Sequence, residues 1–274
     1  MSGPAVTEPP VPRPAPGAAR MRAPLPRPRW VREALGSASG RGVRVAVVDS
    51  GWDPSVRLPG LRLRPGVTFA AGEAPAPGDE DRSGHGTACI STLWRVAPGA
   101  EICPVRVFTD RLETSVTALH QAVLWAVRER FDVISLSLWT PLQEALVPLY
   151  TACEEARAAG SVVVAAAPRA EERAYPSVFE NVLSVGVGAY DAPFEYGYRA
   201  GEAVECLAAC GDRGAVTWLG GECIEVPGSS FAAPNVAGIV ALLRERHPGA
   251  GLDEIRRLLE RHALPWAPLP EAGP

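Results

Sequence analysis

The sequence predicts an α/β domain of three layers, in which a mostly parallel central sheet is covered by helices on both faces. Five short runs rich in Val, Ile, Leu and Ala alternate along the chain with helical patterns. Nearly continuous apolar strands are typical of parallel sheets that are buried on both faces, and the helices between them supply the crossovers. The 274 residues, 47% of them hydrophobic, are enough for one large domain.

The predicted elements follow in a regular order. We expect strands at residues 43–48, 101–108, 132–138, 161–166 and 182–187. We expect helices at residues 30–35 and near 85–95, 114–130, 142–159, 230–246 and 252–263. This order predicts a folded domain over residues 30–266, followed by a C-terminal tail at 267–274.

Residues 1–29 differ in composition from the rest of the chain. They hold nine prolines and five arginines, with Glu8 as their one acidic residue, which predicts an extended N-terminal arm. The arm lacks the apolar core of a signal peptide, and no later apolar run is long enough to cross a membrane. We therefore expect a cytoplasmic protein without a membrane partner.

Charge and cysteine content narrow the function classes. A net charge of −4 does not favour a nucleic-acid partner. The six cysteines do not have the spacing of zinc ligands, and in a reducing compartment we expect free thiols. They lie at positions 89, 103, 153, 206, 210 and 223. We expect no metal and no cofactor.

Three segments place reactive side chains at the ends of predicted elements. Asp49 follows the first strand in an Asp-Ser-Gly turn, which is either a common structural turn or a functional carboxylate at the sheet edge where ligands usually bind. His85 lies between two glycines at the start of a helix, whereas the other three histidines fit structural or solvated positions. Ser230 lies in a small-residue turn before a buried helix, either as a helix cap or as a nucleophile near an oxyanion-stabilising helix start.

In this order, residues 45–51, 84–87 and 228–234 resemble the aspartate, histidine and serine motifs of the subtilisin (subtilase) family of serine peptidases. Weaker similarity extends over about residues 30–263, through segments at 97–100, 105–107, 132–138, 175–177 and 181–186. The resemblance implies a three-layer subtilisin-like fold and a catalytic triad of Asp49, His85 and Ser230. It implies a serine endopeptidase in which Ser230 attacks a peptide carbonyl, His85 moves the proton and Asp49 orients the ring.

Two segments are similar to the family's substrate-lining strands, so the expected partner is a peptide or protein substrate. They are Ser137, Leu138 and Trp139, and Ala165, Ala166 and Ala167. The family usually has glycine where Trp139 stands. This tryptophan either fills the substrate groove, stacks on a substrate side chain, or packs into the core, and the first two predict a narrow substrate preference.

The oxyanion hole departs from the family pattern. The resemblance implies two donors, the main-chain N–H of Ser230 and an asparagine whose position here falls on Arg169. Arg169 either donates from its guanidinium or points to solvent, and loss of such a donor typically costs about 10²–10³ in kcat. A catalytically impaired relative that binds peptides is therefore an alternative, as is a transpeptidase or macrocyclase on the same triad.

Two further departures concern segments around the domain. Only eleven residues separate His85 from Ala97, where the family's calcium loop emerges, so we expect no structural calcium there. Residues 1–29 are too short for the family's pro-domain. They are either a basic tail, an inhibitory arm across the groove as in intracellular subtilases, or a site for acidic peptides. The resulting hypothesis is an intracellular endopeptidase of restricted specificity, such as a precursor-peptide processing protease, whose oligomeric state the sequence does not specify.

Overall fold

The structure is a computed structural model and describes residues 5–7, 25–168 and 173–269. The helices are α1 (Arg29–Leu35), α2 (His85–Val96), α3 (Val116–Arg128), α4 (Leu146–Ala158), α5 (Ser229–Arg246) and α6 (Leu252–His262). The strands are β1 (Ala5–Thr7), β2 (Arg44–Asp49), β3 (Arg62–Leu63), β4 (Val67–Thr68), β5 (Ala76–Pro77), β6 (Glu101–Arg106), β7 (Glu113–Ser115), β8 (Val133–Leu136), β9 (Val162–Ala166), β10 (Leu183–Val187), β11 (Tyr196–Tyr198), β12 (Cys206–Ala208), β13 (Ala215–Thr217) and β14 (Cys223–Glu225).

One large sheet runs through the middle of the molecule. Its strand order is β11-β12-β10-β9-β8-β2-β6-β4-β5, with β3 also paired to β6. The strands from β12 to β4 pair in parallel, and antiparallel pairs occur at the two edges, β11 with β12 and β4 with β5. The mostly parallel sheet predicted from the apolar runs is thereby confirmed.

Side chains alternate between the two faces of the sheet, as the period of a strand requires. On β2, Val45 and Val47 pack into the cluster formed with α1, α2, α5 and α6. Ala46 and Val48 pack into the cluster formed with α3 and α4. Both faces are therefore covered, which confirms the three layers.

The five predicted strands and six predicted helices are present, with ends that differ by a few residues. The helix expected near residues 142–159 begins at Leu146, after a 3₁₀ turn at Gln143–Ala145. The sequence did not indicate the short strands β1, β3–β5, β7 and β11–β14, and β7 includes residues 114–115, which were expected to begin a helix. Two or three residues are too few to show an alternation of apolar and polar side chains.

The chain before and after the predicted domain contacts the rest of the molecule. Within the arm, β1 pairs antiparallel with β7, so that Ala5 lies opposite Ser115 and Thr7 opposite Glu113. Near the other end, the carbonyl of Ala267 accepts a hydrogen bond from Ala189. The domain limits themselves stay predictions. In the described part of the chain, every helix is too short or too polar to cross a bilayer.

Gly238 on α5 lies against Val96 on α2, where an added Cβ would come within 2.7 Å of the valine Cβ. We expect Gly238→Ala to lower the free energy of unfolding by about 1–3 kcal/mol, because overpacking outweighs the better helix propensity of alanine. Urea denaturation measures this. The control is Gly251→Ser, whose added Cβ meets open space at the start of α6. Equal midpoints for both variants would contradict the close packing.

Candidate active site

Asp49 and His85 form a buried pair at the carboxyl end of β2. The ring Nδ1 of His85 lies 2.8 Å from Oδ1 and 3.0 Å from Oδ2 of Asp49. The N–H of Ser50 donates to the same Oδ1 at 2.7 Å. Both residues are at most 1% exposed, and a buried carboxylate is stable only when it is well hydrogen-bonded. The contact places the proton of the ring on Nδ1, facing the carboxylate.

Asp81 holds the chain around this pair, and sequence reasoning missed it. Its Oδ1 lies 3.0 Å from Ser50 Oγ and accepts hydrogen bonds from the N–H groups of Ser83 and Gly84. Its Oδ2 accepts from both the N–H and the hydroxyl of Thr87, at 2.9 and 2.7 Å. Asp81 therefore ties the residue after Asp49 to the first turn of α2, and it is a positioning residue for His85.

The one signal for Asp81 in the sequence is its place four residues before His85. An acidic side chain just before a helix is a common acceptor for the N–H groups of the first turn. Ser50 completes the link, because its Oγ accepts a hydrogen bond from the N–H of Gly86 at 2.8 Å. Gly86 lets these chains approach, since a Cβ at this position would lie 2.4 Å from the carbonyl oxygen of Gly51.

The electrostatic surroundings change the pKa of His85. Burial by itself lowers the pKa of the ring, but the Asp49 carboxylate and, to a smaller extent, Cys89 together raise it well above its ordinary value. The charged ring therefore persists to a higher pH than in an ordinary histidine, and the neutral ring becomes more populated as the pH rises.

Ser230 lies beside this pair at the start of α5. It is buried, and its carbonyl oxygen accepts a contact of 3.5 Å from Cys89 Sγ, which itself lies 3.8 Å from His85 Nδ1. The next side chain, Phe231, has its ring centre 5.0 Å from that of His85. The structure thus places the main chain of Ser230, at the start of α5, beside the Asp49–His85 pair, and it adds Cys89, which the sequence reasoning treated as an ordinary thiol.

The two predicted substrate segments leave the carboxyl ends of adjacent strands, since β8 and β9 pair with Leu136 opposite Ala165. The side chains of Ser137, Leu138, Ala165, Ala166 and Ala167 are buried, whereas Trp139 is half-buried. Trp139 packs against the core cluster on the α2 and α5 face. Pro168 ends this described stretch, so Arg169, the expected oxyanion donor, lies outside the described residues.

The described segment at the expected calcium position does not fit that ion. Helix α2 runs without interruption from His85 to Val96, and residues 97–100 then turn directly into β6. These four residues are Ala-Pro-Gly-Ala, which offer no side-chain oxygen, whereas calcium takes six to eight oxygen ligands.

Comparison with known proteins agrees with this geometry. A sequence profile described as the subtilase family matches residues 40–272. This chain belongs to the subtilase family. Within that family it is 31% identical over 236 residues to M-protease of Shouchella clausii (strain KSM-K16) and 31% identical over 236 residues to Subtilisin Savinase of Lederbergia lenta. Both alignments cover 82% of this chain.

The extent of the match differs among these subtilases. The alignments cover 60% of M-protease, so the chain spans about three fifths of that relative, and 84% of Subtilisin Savinase. A solved structure described as a cold adapted subtilisin-like serine proteinase has a TM-score of 0.67 at 21% identity, covering 82% of this chain and 83% of that one. This match confirms the subtilisin-like fold.

Asp49→Asn tests the cause of the His85 pKa shift. We expect the imidazole of the wild type to titrate above about 6.5, and that of Asp49→Asn at least about 1 pH unit lower, because burial then acts without the compensating carboxylate. NMR titration of the ring nitrogens, assigned with His85→Gln, measures both. The control is Asp110→Asn, which removes a half-exposed carboxylate. Equal midpoints in Asp49→Asn and wild type would contradict the assignment.

Proposed function

We propose that this protein is a serine endopeptidase that hydrolyses peptide bonds through Asp49, His85 and Ser230. The observation that carries the proposal is the bonded Asp49–His85 pair with Ser230 beside it at a helix start. The names of its relatives, which include alkaline proteases and subtilisins, support the same activity.

Each group has a separate role in the proposed reaction. The neutral ring of His85 takes the proton from Ser230 Oγ as the oxygen attacks the substrate carbonyl, and then gives it to the leaving amine. Asp49 keeps the other ring proton on Nδ1 and stabilises the ring while it is charged. Because the base is the neutral ring, the rate rises with pH through the pKa of His85, which lies above the ordinary histidine value.

The start of α5 supplies one side of the proposed oxyanion site. The first N–H groups of a helix carry partial positive charge, and Ser230 is the second residue of α5. The second donor of the family is replaced by Arg169 in the sequence. We propose that a guanidinium or water takes this place, with a rate below that of relatives that have the asparagine.

The finer proposal is an intracellular enzyme of restricted specificity, such as a precursor-peptide processing protease in the cytoplasm. A relative named intracellular serine protease, from Paenibacillus polymyxa, supports the location; it is 30% identical over 223 residues, which cover 75% of this chain and 68% of the relative. The half-buried Trp139 supports the narrow preference, because a large ring stands where the family usually has glycine.

Labelling with a fluorophosphonate probe tests the nucleophile. We expect the wild type to be labelled at one serine, and Ser230→Ala to lose at least about 10³-fold in labelling rate, because the attacking oxygen is gone. The matched control is Ser229→Ala, which removes the neighbouring, half-buried hydroxyl of the same turn. Labelling of Ser230→Ala, or a folded wild type that is not labelled, would contradict the proposal.

Trp139→Gly tests the restricted groove. We expect the glycine variant to cleave a peptide library at more kinds of residue, with at least about tenfold higher kcat/KM for large side chains, because the pocket next to β8 becomes open. Mass spectrometry of the cleaved library measures this. An unchanged cleavage profile together with lower stability would instead identify Trp139 as a core packing residue.

A further inference from the structure

The hairpin of β13 and β14 begins and ends beside the turn that carries Ser230. Just before β13, the N–H of Gly211 donates a hydrogen bond of 3.1 Å to the carbonyl of Phe231, in the first turn of α5. After β14, only two residues separate the strand from Gly228, which directly precedes α5. The strands pair antiparallel between these two points. Both ends of the hairpin are therefore anchored at the segment of the proposed nucleophile.

At the tip of this hairpin, the indole ring of Trp218 lies against the main chain of Gly84, the residue before His85. A Cβ added at Gly84 would come within 2.7 Å of three atoms of the indole, so only glycine fits here. Trp218 is 9% exposed, belongs to the core cluster that also holds Phe231, and follows a strand that packs on α2. The ring therefore limits how far the start of α2 can move, because a close-packed contact resists displacement.

The turn at the tip also contacts the segment that follows Asp49. The N–H of Gly220 donates to Oδ2 of Asp53 at 2.7 Å. The N–H of Asp53 in turn donates to the hydroxyl of Thr87, on the first turn of α2, at 2.9 Å. Hydrogen bonds to a charged carboxylate are the stronger ones, but this one lies near solvent, so we expect it to contribute less than the buried indole. The tip thus contacts the segments of both Asp49 and His85.

The proposed hydrolysis gives the side chains of this hairpin no task. We propose that the hairpin is a positioning element, which extends from its base at Ser230 and holds the loop before His85 in place. Trp218 is its main positioning residue and Asp53 the weaker one. The packing of α2 against α5 places the two helices, whereas the loop before α2 needs a contact of its own. The inference deepens the proposed function, and its effect on the rate rests on that function.

The first arm of the test measures local opening and no activity. Amide hydrogen exchange of Gly86 and Thr87 is followed by NMR, because their N–H groups donate to buried side chains beside the Asp49–His85 pair and are released when the loop opens. We expect both amides to exchange at least about tenfold faster in Trp218→Ala than in the wild type. Exchange at the wild-type rate in Trp218→Ala would overturn the proposal, even if urea denaturation shows a lower overall stability.

Two further variants make this arm specific. Trp218→Phe keeps a flat ring that can lie against Gly84, and we expect its exchange rates within about threefold of the wild type. Glu222→Gln changes an exposed side chain of the same turn and should exchange as the wild type does. Equal acceleration in Trp218→Phe and Trp218→Ala, or in Glu222→Gln, would overturn the proposal. Circular dichroism checks folding, and Trp218→Leu replaces the alanine variant if that variant unfolds.

The second arm uses the fluorophosphonate labelling rate, well below the unfolding midpoint. Nearly all of the protein is folded there, so a residue that only stabilises the fold leaves the rate unchanged. A misplacement of about 1 Å can cost about 10²-fold in rate, and we expect labelling at least about tenfold slower in Trp218→Ala, with Trp218→Phe and Glu222→Gln close to the wild type. A folded Trp218→Ala that is labelled as fast as the wild type would overturn the proposal.

Asp53→Asn tests the second contact in the same assay. The two carboxylate oxygens of Asp53 accept from the N–H groups of Ser55 and Gly220, and an asparagine has one acceptor for both. We expect labelling about threefold slower, a smaller loss than in Trp218→Ala, because the lost hydrogen bond lies near solvent. A larger loss than in Trp218→Ala would overturn the assigned order of the two residues. A wild type without labelling contradicts the proposed function alone, and the exchange arm still decides whether the hairpin holds the loop.

Discussion

The packing of α2 against α5 is the constraint on which the candidate active site depends. His85 is the first residue of α2 and Ser230 the second of α5, so the distance between them follows from how the two helices fit together. Both helices are buried along nearly their whole length, and Gly238 permits the close approach to Val96. Because a close-packed interior resists small displacements, the core itself positions these two side chains.

Two buried carboxylates, those of Asp81 and Asp49, accept different hydrogen bonds in the candidate active site. Asp81 has contacts with main-chain N–H groups and hydroxyls of the loop before α2 and of its first turn. Asp49 is left to face the imidazole, with the hydroxyl of Ser50 between the two carboxylates, 3.2 Å from one and 3.0 Å from the other. Hydrogen bonds within a site of low dielectric are strong, so the loss of either carboxylate leaves several donors unsatisfied.

The sequence predicted the layers from apolar runs at strand spacing, and it indicated Asp49, His85 and Ser230 through the resemblance of their segments to the subtilase motifs. It did not predict the role of Asp81, which reads as an ordinary turn residue until Ser50 and Thr87 are seen to meet it in space. The position of Cys89 was likewise not predicted, because the sequence does not show that its thiol lies 3.8 Å from Nδ1 of His85. Whether Trp139 packs or lines a groove depends on its neighbours, and the half-buried ring contacts the core and remains partly exposed.

The pairing of β1 with β7 has a consequence for any other chain that meets this edge. Extended peptides often bind by adding a strand to an edge, through main-chain hydrogen bonds. Here Ala5–Thr7 already occupies Glu113–Ser115, so an incoming strand must displace it. The resident strand is tethered, and its pairing does not weaken on dilution, whereas that of a free peptide does. A free strand therefore binds this edge only in competition with the tethered strand. The outcome depends on the length of the tether as much as on the affinity of the free strand.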